Sequence, residues 1–263
     1  MIKLIVTDLD GTLLADDKSL PTDFWDVEQQ LNERNITLVI ASGRPYHNMV
    51  SVFEKIRHRV FFISDNGSYM LFDGKELLED TLDNNVVNEF VRLSRNIPDS
   101  YPVLCGKDMA FMEDNDENLL RQTLKYYQQY KIVDDLTTVE APILKVSLCD
   151  LNNSESNTYP HYKHFADDYN VVLSSKVWVD ITSKTASKGR AVKMLQKKLN
   201  LGYDETLVFG DYMNDLDMMH TAQYSYAMKN AYYKVAEAAN FMTEVDNNSG
   251  GVTKTIKELV LKN

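Results

Sequence analysis

The chain has 263 residues, 44% of them hydrophobic and 25% charged, which suits one large or two smaller globular domains and excludes extensive disorder. Its 28 basic and 39 acidic residues leave a net charge of −11, so no general field attracts DNA, RNA or an anionic membrane. Cys105 and Cys149 form no CxxC pair, no apolar run approaches the ~20 residues of a membrane span, and no signal-peptide pattern opens the chain. The expectation is a cytoplasmic protein with two free thiols that uses local cations or a metal for any anionic ligand.

The first third alternates strand and helix. A strand over Ile2–Val6 runs into Asp8, Leu9, Asp10 and Gly11. A helix is expected over Thr22–Asn32, with Thr22 as cap and Phe24, Val27 and Leu31 on one face. The uninterrupted apolar run ITLVIA reads as a strand buried in a parallel sheet, ending at Ser42-Gly43-Arg44. Pro45 suits the first turn of the next helix. A third strand, Val60–Ile63, ends at Asp65-Asn66-Gly67. This alternation predicts a parallel sheet with crossover helices.

The texture then changes. YMLFDGKELLED is a hairpin pattern with Asp73-Gly74 at its turn. Helices are expected over Asn84–Arg95 and Glu117–Tyr130, with strands at Tyr101–Cys105, Met109–Met112 and Leu144–Cys149, and a last hairpin in NVVLSSKVWVDIT. From Ser187 the strand–helix alternation returns. The predicted fold class is α/β: a doubly wound, Rossmann-like parallel sheet (1–83 and 184–263) with an inserted α+β domain (84–183).

In doubly wound sheets ligands bind beyond the C-terminal ends of the strands. Asp8 and Asp10 lie two apart on an extended segment, so both can face one ligand. Asp211 and Asp215 follow another strand, in GDYMNDLD. Carboxylates converging at strand ends make an oxygen-rich site matched to a hard cation, Mg²⁺ above all. The acidic loop is no EF-hand, because Leu216 and Ala222 stand where Gly and Glu are required. Lys188 opens a helix after a capping Ser187, and Ser42-Gly43 joins a strand to a helix. Both positions suit phosphate oxygens.

These residues resemble the haloacid dehalogenase superfamily of phosphatases, in its Cof-type subgroup. The resemblance rests on Asp8-Leu9-Asp10-Gly11-Thr12, on Ser42 in ASGRP, on Lys188 in SKGRAV and on Gly210–Asp215, and extends through NAYYKVAEAANFMT and NNSGGVTKTIKEL. Too few residues separate Asp8 from Ser42 to house a domain, whereas Ser42 to Lys188 leaves ample room. An insertion there is the large α/β cap of the sugar-phosphate phosphatases. The run SKTASKG departs from the pattern, with Ser183 and Thr185 where Pro and Gly are usual, and Lys229 replaces a Gly.

The resemblance implies hydrolysis of small phosphomonoesters, by default sugar phosphates, through an aspartyl-phosphate. Asp8 is the nucleophile, Asp10 the general acid and base, and Ser42, Gly43, Lys188 and Asn214 hold the phosphate. Mg²⁺ is the cofactor, with Asp8, the Asp10 carbonyl, Asp211 and Asp215 around it. The alternatives are a cofactor phosphatase acting on pyridoxal phosphate or flavin mononucleotide, and a phosphate-binding regulatory protein with weak turnover. Arg44, Asn66, Trp178 and Asp180 are further substrate-binding candidates; Trp178, Asp180 and Thr182 share one face of their strand. The expected partner is a small phosphorylated metabolite, with no nucleic acid or membrane, for a monomer or weak homodimer.

Overall fold

The computed structural model describes residues 1–114, 116–127 and 129–262. Its strands, in chain order, are β1 (Leu4–Asp8), β2 (Thr37–Ala41), β3 (Phe61–Ser64), β4 (Tyr69–Phe72), β5 (Lys75–Glu79), β6 (Ser100–Gly106) and β7 (Ala110–Met112). They continue with β8 (Tyr130–Ile132), β9 (Ile143–Asp150), β10 (Tyr169–Ser175), β11 (Trp178–Ser183), β12 (Thr206–Gly210), β13 (Tyr224–Ala227) and β14 (Phe241–Met242). One sheet has the order β14-β13-β12-β1-β2-β3-β4-β5, the other β10-β11-β9-β6-β7-β8. The chain divides into two compact units, Met1–Gly43 with Lys55–Leu77 and Ser187–Asn263, and Arg44–Glu54 with Leu78–Ala186. Among the described residues no helix is long and apolar enough to cross a membrane.

In the first unit β1 lies between β12 and β2, parallel to both, with Leu4 opposite Thr206 and Thr37. Every residue of β1 and β12 is buried, as expected of strands covered by helices on both faces. From β1 the chain runs outward through β2 and β3, then returns to build β12, β13 and β14 on the other side. The strand order therefore reverses between β1 and β12, and the crevice beyond their C-terminal ends is the switch point where such sheets hold ligands. Asp8 ends β1, and Asp211 follows β12.

The second unit is antiparallel except for the β7–β8 pair. The helix Asn84–Ser94 presents Val87, Phe90 and Val91 to Leu104, Val146, Leu148, Val179 and Ile181 on one sheet face. Asp83 caps that helix, accepting from the Asn85 amide at 2.8 Å. The other face buries Val103, Cys105, Cys149 and Trp178 against Leu119 and Tyr127.

Several local expectations need correction. The first helix starts at Phe24 rather than Thr22, because Asp23 occupies the cap position and turns its side chain to Lys257 at 2.5 Å. Pro45 stands just before the helix Tyr46–Val52. The helix from Glu117 ends at Thr123, and Tyr130 opens strand β8 instead of closing the helix; Gln128 lies outside the described residues. The short β14 carried no recognisable alternation. The face of Trp178, Asp180 and Thr182 is buried, with Trp178 edge-on to Tyr126 at 6.3 Å. Alternation along β11 separates its two faces but cannot show that both are covered.

Candidate active site

All residues of β1 are buried, so Asp8 arrives at the strand end in an apolar frame, 4% exposed. The chain then turns through Gly11, whose φ of +79° favours glycine; a Cβ there would lie 2.4 Å from an Asp211 carboxylate oxygen. Glycine therefore lets the Asp10–Thr12 turn close onto the loop after β12. Thr12 Oγ1 donates to Asp211 Oδ1 at 2.8 Å, fixing that carboxylate. Asp10 Oδ1 accepts from Lys18 Nζ at 2.8 Å.

The loop after β12 folds back on itself. Asp215, fully buried, accepts from the amides of Asp211 and Tyr212 at 3.0 and 3.2 Å. Its other oxygen, Oδ1, accepts from Lys188 Nζ at 2.7 Å, and Asp8 Oδ1 accepts from the same ammonium at 2.6 Å. Lys188 is delivered by the helix Lys188–Leu199, which Ser187 caps by accepting from the Arg190 amide at 3.0 Å. Gly67, at φ +95°, is packed so closely on that helix start that a Cβ would lie 2.3 Å from the Ser187 carbonyl oxygen.

On the other side of β1, Asp8 is in register with Ala41, so Ser42 follows directly at the end of β2. Ser42 is 2% exposed, and its carbonyl accepts from the Asn66 amide at 3.1 Å. Asn66 sits in a left-handed corner (Asp65 φ 49°, Asn66 φ 57°) and accepts through Oδ1 from Asn214 Nδ2 at 3.0 Å. The first unit thus brings together Asp8, Asp10, Ser42, Gly43, Asn66, Lys188, Asp211, Asn214 and Asp215.

Arg44, Trp178 and Asp180 belong to the second unit. Arg44 Nη1 donates to Asn48 Oδ1 at 3.0 Å. Asp180 accepts from Ser147 Oγ at 2.6 Å and Ser174 Oγ at 2.7 Å, with Lys145 Nζ 3.5 Å away. The roles of Thr12, Lys18 and Lys145 were not read from the sequence. Thr12 stands in the DxDxT motif that could have signalled it; Lys18 and Lys145 carry no comparable pattern.

The electrostatics follow from burying two carboxylates, and half-burying a third, beside one ammonium. Burial, then the neighbouring Asp215, push the Asp8 carboxyl well above its ordinary range, against the opposing pull of Lys188. The same two causes raise Asp211 to about 7. Burial alone would lower Lys188, but Asp215 and Asp8 hold it above its ordinary value, so it stays protonated. Ligand oxygens of Asp8, Asp211 and Asp215 lie within 4.8 Å of one another. This all-oxygen donor set, with negative charge beyond what one lysine balances, fits a divalent hard cation.

A carboxyl at about 7 in the folded chain against 3.8 ordinarily binds more protons folded than unfolded between those values. Its contribution to stability therefore falls as pH rises through that window. A divalent cation held by these carboxylates would bind their ionised form, and a ligand at 100 times its Kd stabilises by about 2.7 kcal/mol. The rise in Tm on adding Mg²⁺ should be clearly larger at pH 8 than at pH 5 by calorimetry. Equal increments at both would contradict an ion held by these carboxylates.

Residues 5–256 match the haloacid dehalogenase-like hydrolase family. The chain is 28% identical over 256 residues to the 5-amino-6-(5-phospho-D-ribitylamino)uracil phosphatase YbjI of Escherichia coli K12, covering 95% of this chain and 93% of that one. It is 25% identical to the phosphatase YwpJ of Bacillus subtilis, covering 98% of this chain and all of that one (100%). The crystal structure of SMU.1108c from Streptococcus mutans superposes with a TM-score of 0.91 at 26% identity, over 99% of this chain and 100% of that one. With a family match across nearly its whole length and phosphatases among its relatives, the chain belongs to the haloacid dehalogenase-like hydrolases and is a phosphatase of that family.

Proposed function

We propose that this phosphatase is magnesium-dependent and hydrolyses small phosphomonoesters, phosphorylated sugars and sugar alcohols above all, through a phosphate ester of Asp8. The observation that supports this most strongly is Lys188, buried and shared between Asp8 and Asp215 at the strand crevice. A buried carboxylate held by an ammonium and flanked by further carboxylates is arranged to meet a dianion only with cationic help. The sugar-alcohol class is supported by the relative from Escherichia coli, whose named substrate carries a phosphoribityl group.

In this reading Asp8 attacks phosphorus in line, and the bond to the leaving oxygen breaks as Asp10 gives that oxygen a proton. Ser42 Oγ, Lys188 Nζ and the Asn214 amide hold the phosphoryl oxygens. Water then attacks the aspartyl-phosphate while Asp10 takes up its proton, releasing phosphate and restoring Asp8. Bound Mg²⁺, held by Asp8, the Asp10 carbonyl, Asp211 and Asp215, would screen Asp8 from the dianion and neutralise charge developing at phosphorus. The inserted domain, 84–183, is assigned the reading of the leaving group. Asn66 is the substrate-contact candidate in the first unit and Arg44 that in the second.

The test is phosphate release from a panel holding sugar phosphates, sugar-alcohol phosphates, flavin mononucleotide and pyridoxal phosphate. Activity should require Mg²⁺, vanish after chelation, and favour the sugar and sugar-alcohol esters. Full turnover by metal-stripped protein would overturn the metal dependence. A clear preference for pyridoxal phosphate would overturn the substrate class.

A further inference from the structure

Lys18 lies in a turn that is held more firmly than an exposed surface turn requires. Its own φ is +70°, a left-handed conformation that disfavours any side chain with a Cβ. The turn closes through the Lys18 amide to the Ala15 carbonyl at 2.9 Å and the Ala15 amide to the Ser19 carbonyl at 3.0 Å. Asp17 Oδ1 accepts from the Ser19 amide and hydroxyl at 2.9 and 2.6 Å.

Asp16 ties the turn to a distant part of the chain. Its carboxylate accepts from Asn247 Nδ2 at 3.0 Å and Asn248 Nδ2 at 3.1 Å, and its amide donates to Asn248 Oδ1 at 3.0 Å. Asn247 is itself buried and also donates to the Leu14 carbonyl at 3.0 Å. The outcome is an ammonium fixed 2.8 Å from Asp10 Oδ1. The Lys18 and Asp10 side chains are 58% and 33% exposed, so this is a surface pair, a kind that contributes little to stability. The pair itself adds little to stability; what the anchored turn does is hold an ammonium against a partly exposed carboxylate.

We infer that Lys18 is a positioning residue, held by the Asp16–Asn247–Asn248 anchor so that it sets the direction in which the Asp10 carboxyl faces the leaving oxygen. The inference rests on the reading of Asp10 as proton donor, and the experiment separates the two.

Lys18→Met keeps the aliphatic stem and removes the charge. It should be compared with wild type and Lys18→Arg on phenyl phosphate, whose leaving oxygen needs a proton, and p-nitrophenyl phosphate, whose leaving oxygen needs little. Steady-state kcat/KM reports the steps through phosphorylation of Asp8. Lys18→Met should lower it about tenfold or more on phenyl phosphate and little on p-nitrophenyl phosphate, since small misplacement of a reacting group costs one to two orders of magnitude. Lys18→Arg should restore most of the loss. In an Asp10→Asn background, Lys18→Met should cost nothing further, because the group it positions is gone. Equal losses on both esters would mean that Lys18 binds the phosphate, and losses that multiply in the double variant would mean that it acts independently of Asp10; either overturns the inference alone. Undiminished turnover of phenyl phosphate by Asp10→Asn would overturn the role of Asp10, and that of Lys18 with it.

Discussion

Asp8→Asn is expected to cut turnover by about 10⁴-fold or more, the scale on which loss of a nucleophile stops a covalent mechanism. The fold should survive. Asparagine has nearly the same shape as aspartate, and Lys188 keeps its contact to Asp215 at 2.7 Å. Burial and Asp215 hold the Asp8 carboxyl well above its ordinary range, so at neutral pH its ionisation opposes folding in the metal-free protein. The neutral amide removes that cost, and metal-free Asp8→Asn should melt no lower than wild type at pH 8. Mg²⁺ should bind it more weakly, with one of the three clustered carboxylates lost. A variant that kept substantial turnover, or that unfolded, would contradict the assignment; steady-state assays and thermal melts with and without Mg²⁺ decide it.

Lys188→Met should weaken both stability and activity. Lys188 is fully buried between Asp8 and Asp215, at 2.6 and 2.7 Å. Methionine retains most of the stem volume, so the effect is one of charge. Removing one partner of a buried ion pair typically costs about 3–5 kcal/mol, because the remaining charges stay buried and unpaired. Turnover should fall by about 10²–10³-fold with loss of a cation at the phosphoryl oxygens. The destabilisation has a sign in pH. Asp8 and Asp211 are already raised in wild type and rise further without the ammonium, so protonation relieves the repulsion more fully at pH 5 than at pH 8. Urea denaturation should show the larger deficit at pH 8, and Mg²⁺ should recover part of it. A metal-free variant as stable as wild type at pH 8 would contradict the geometry.

Much of the first unit was legible because its signals are local. The apolar run before Asp8 and the run ITLVIA are strands buried on both faces, and Ser187 before Lys188 is a helix start whose cap bond forms as read. Asp73-Gly74, at φ 49° and 71°, makes the tight turn between β4 and β5. What no local pattern carries is non-local. Only the family resemblance grouped Lys188 with Asp8 and Asp215; nothing near Lys188 announces its contacts to Asp8, 180 positions away, and Asp215, 27 positions away. Nothing around Lys18 announces Asp10, since the contact depends on a left-handed turn anchored by Asn247 and Asn248. The second unit was read less well because its elements are short. Glu117–Thr123 is only seven residues of helix, and β8 only three of strand. Trp178 and Asp180 alternate correctly with Val179 and Ile181, but the cover over Trp178 comes from Leu119 and Tyr127, which no pattern within β11 could show.

In the proposed reaction phosphate passes through Asp8 while Asp10 moves the proton. Rapid-quench labelling of Asp10→Asn with a phosphorus-labelled aryl phosphate probes both roles at once. The variant keeps the nucleophile, the Asp8–Lys188 pair and the backbone at position 10. An activated leaving group needs little protonation, whereas hydrolysis of the intermediate still needs a base, whose loss costs about 10²–10⁴-fold. The expected result is a burst, a protein-bound label approaching one per chain, and a single labelled peptide in which the phosphate sits on Asp8. Label on another residue, or steady turnover with no trapped phosphoenzyme, would contradict it.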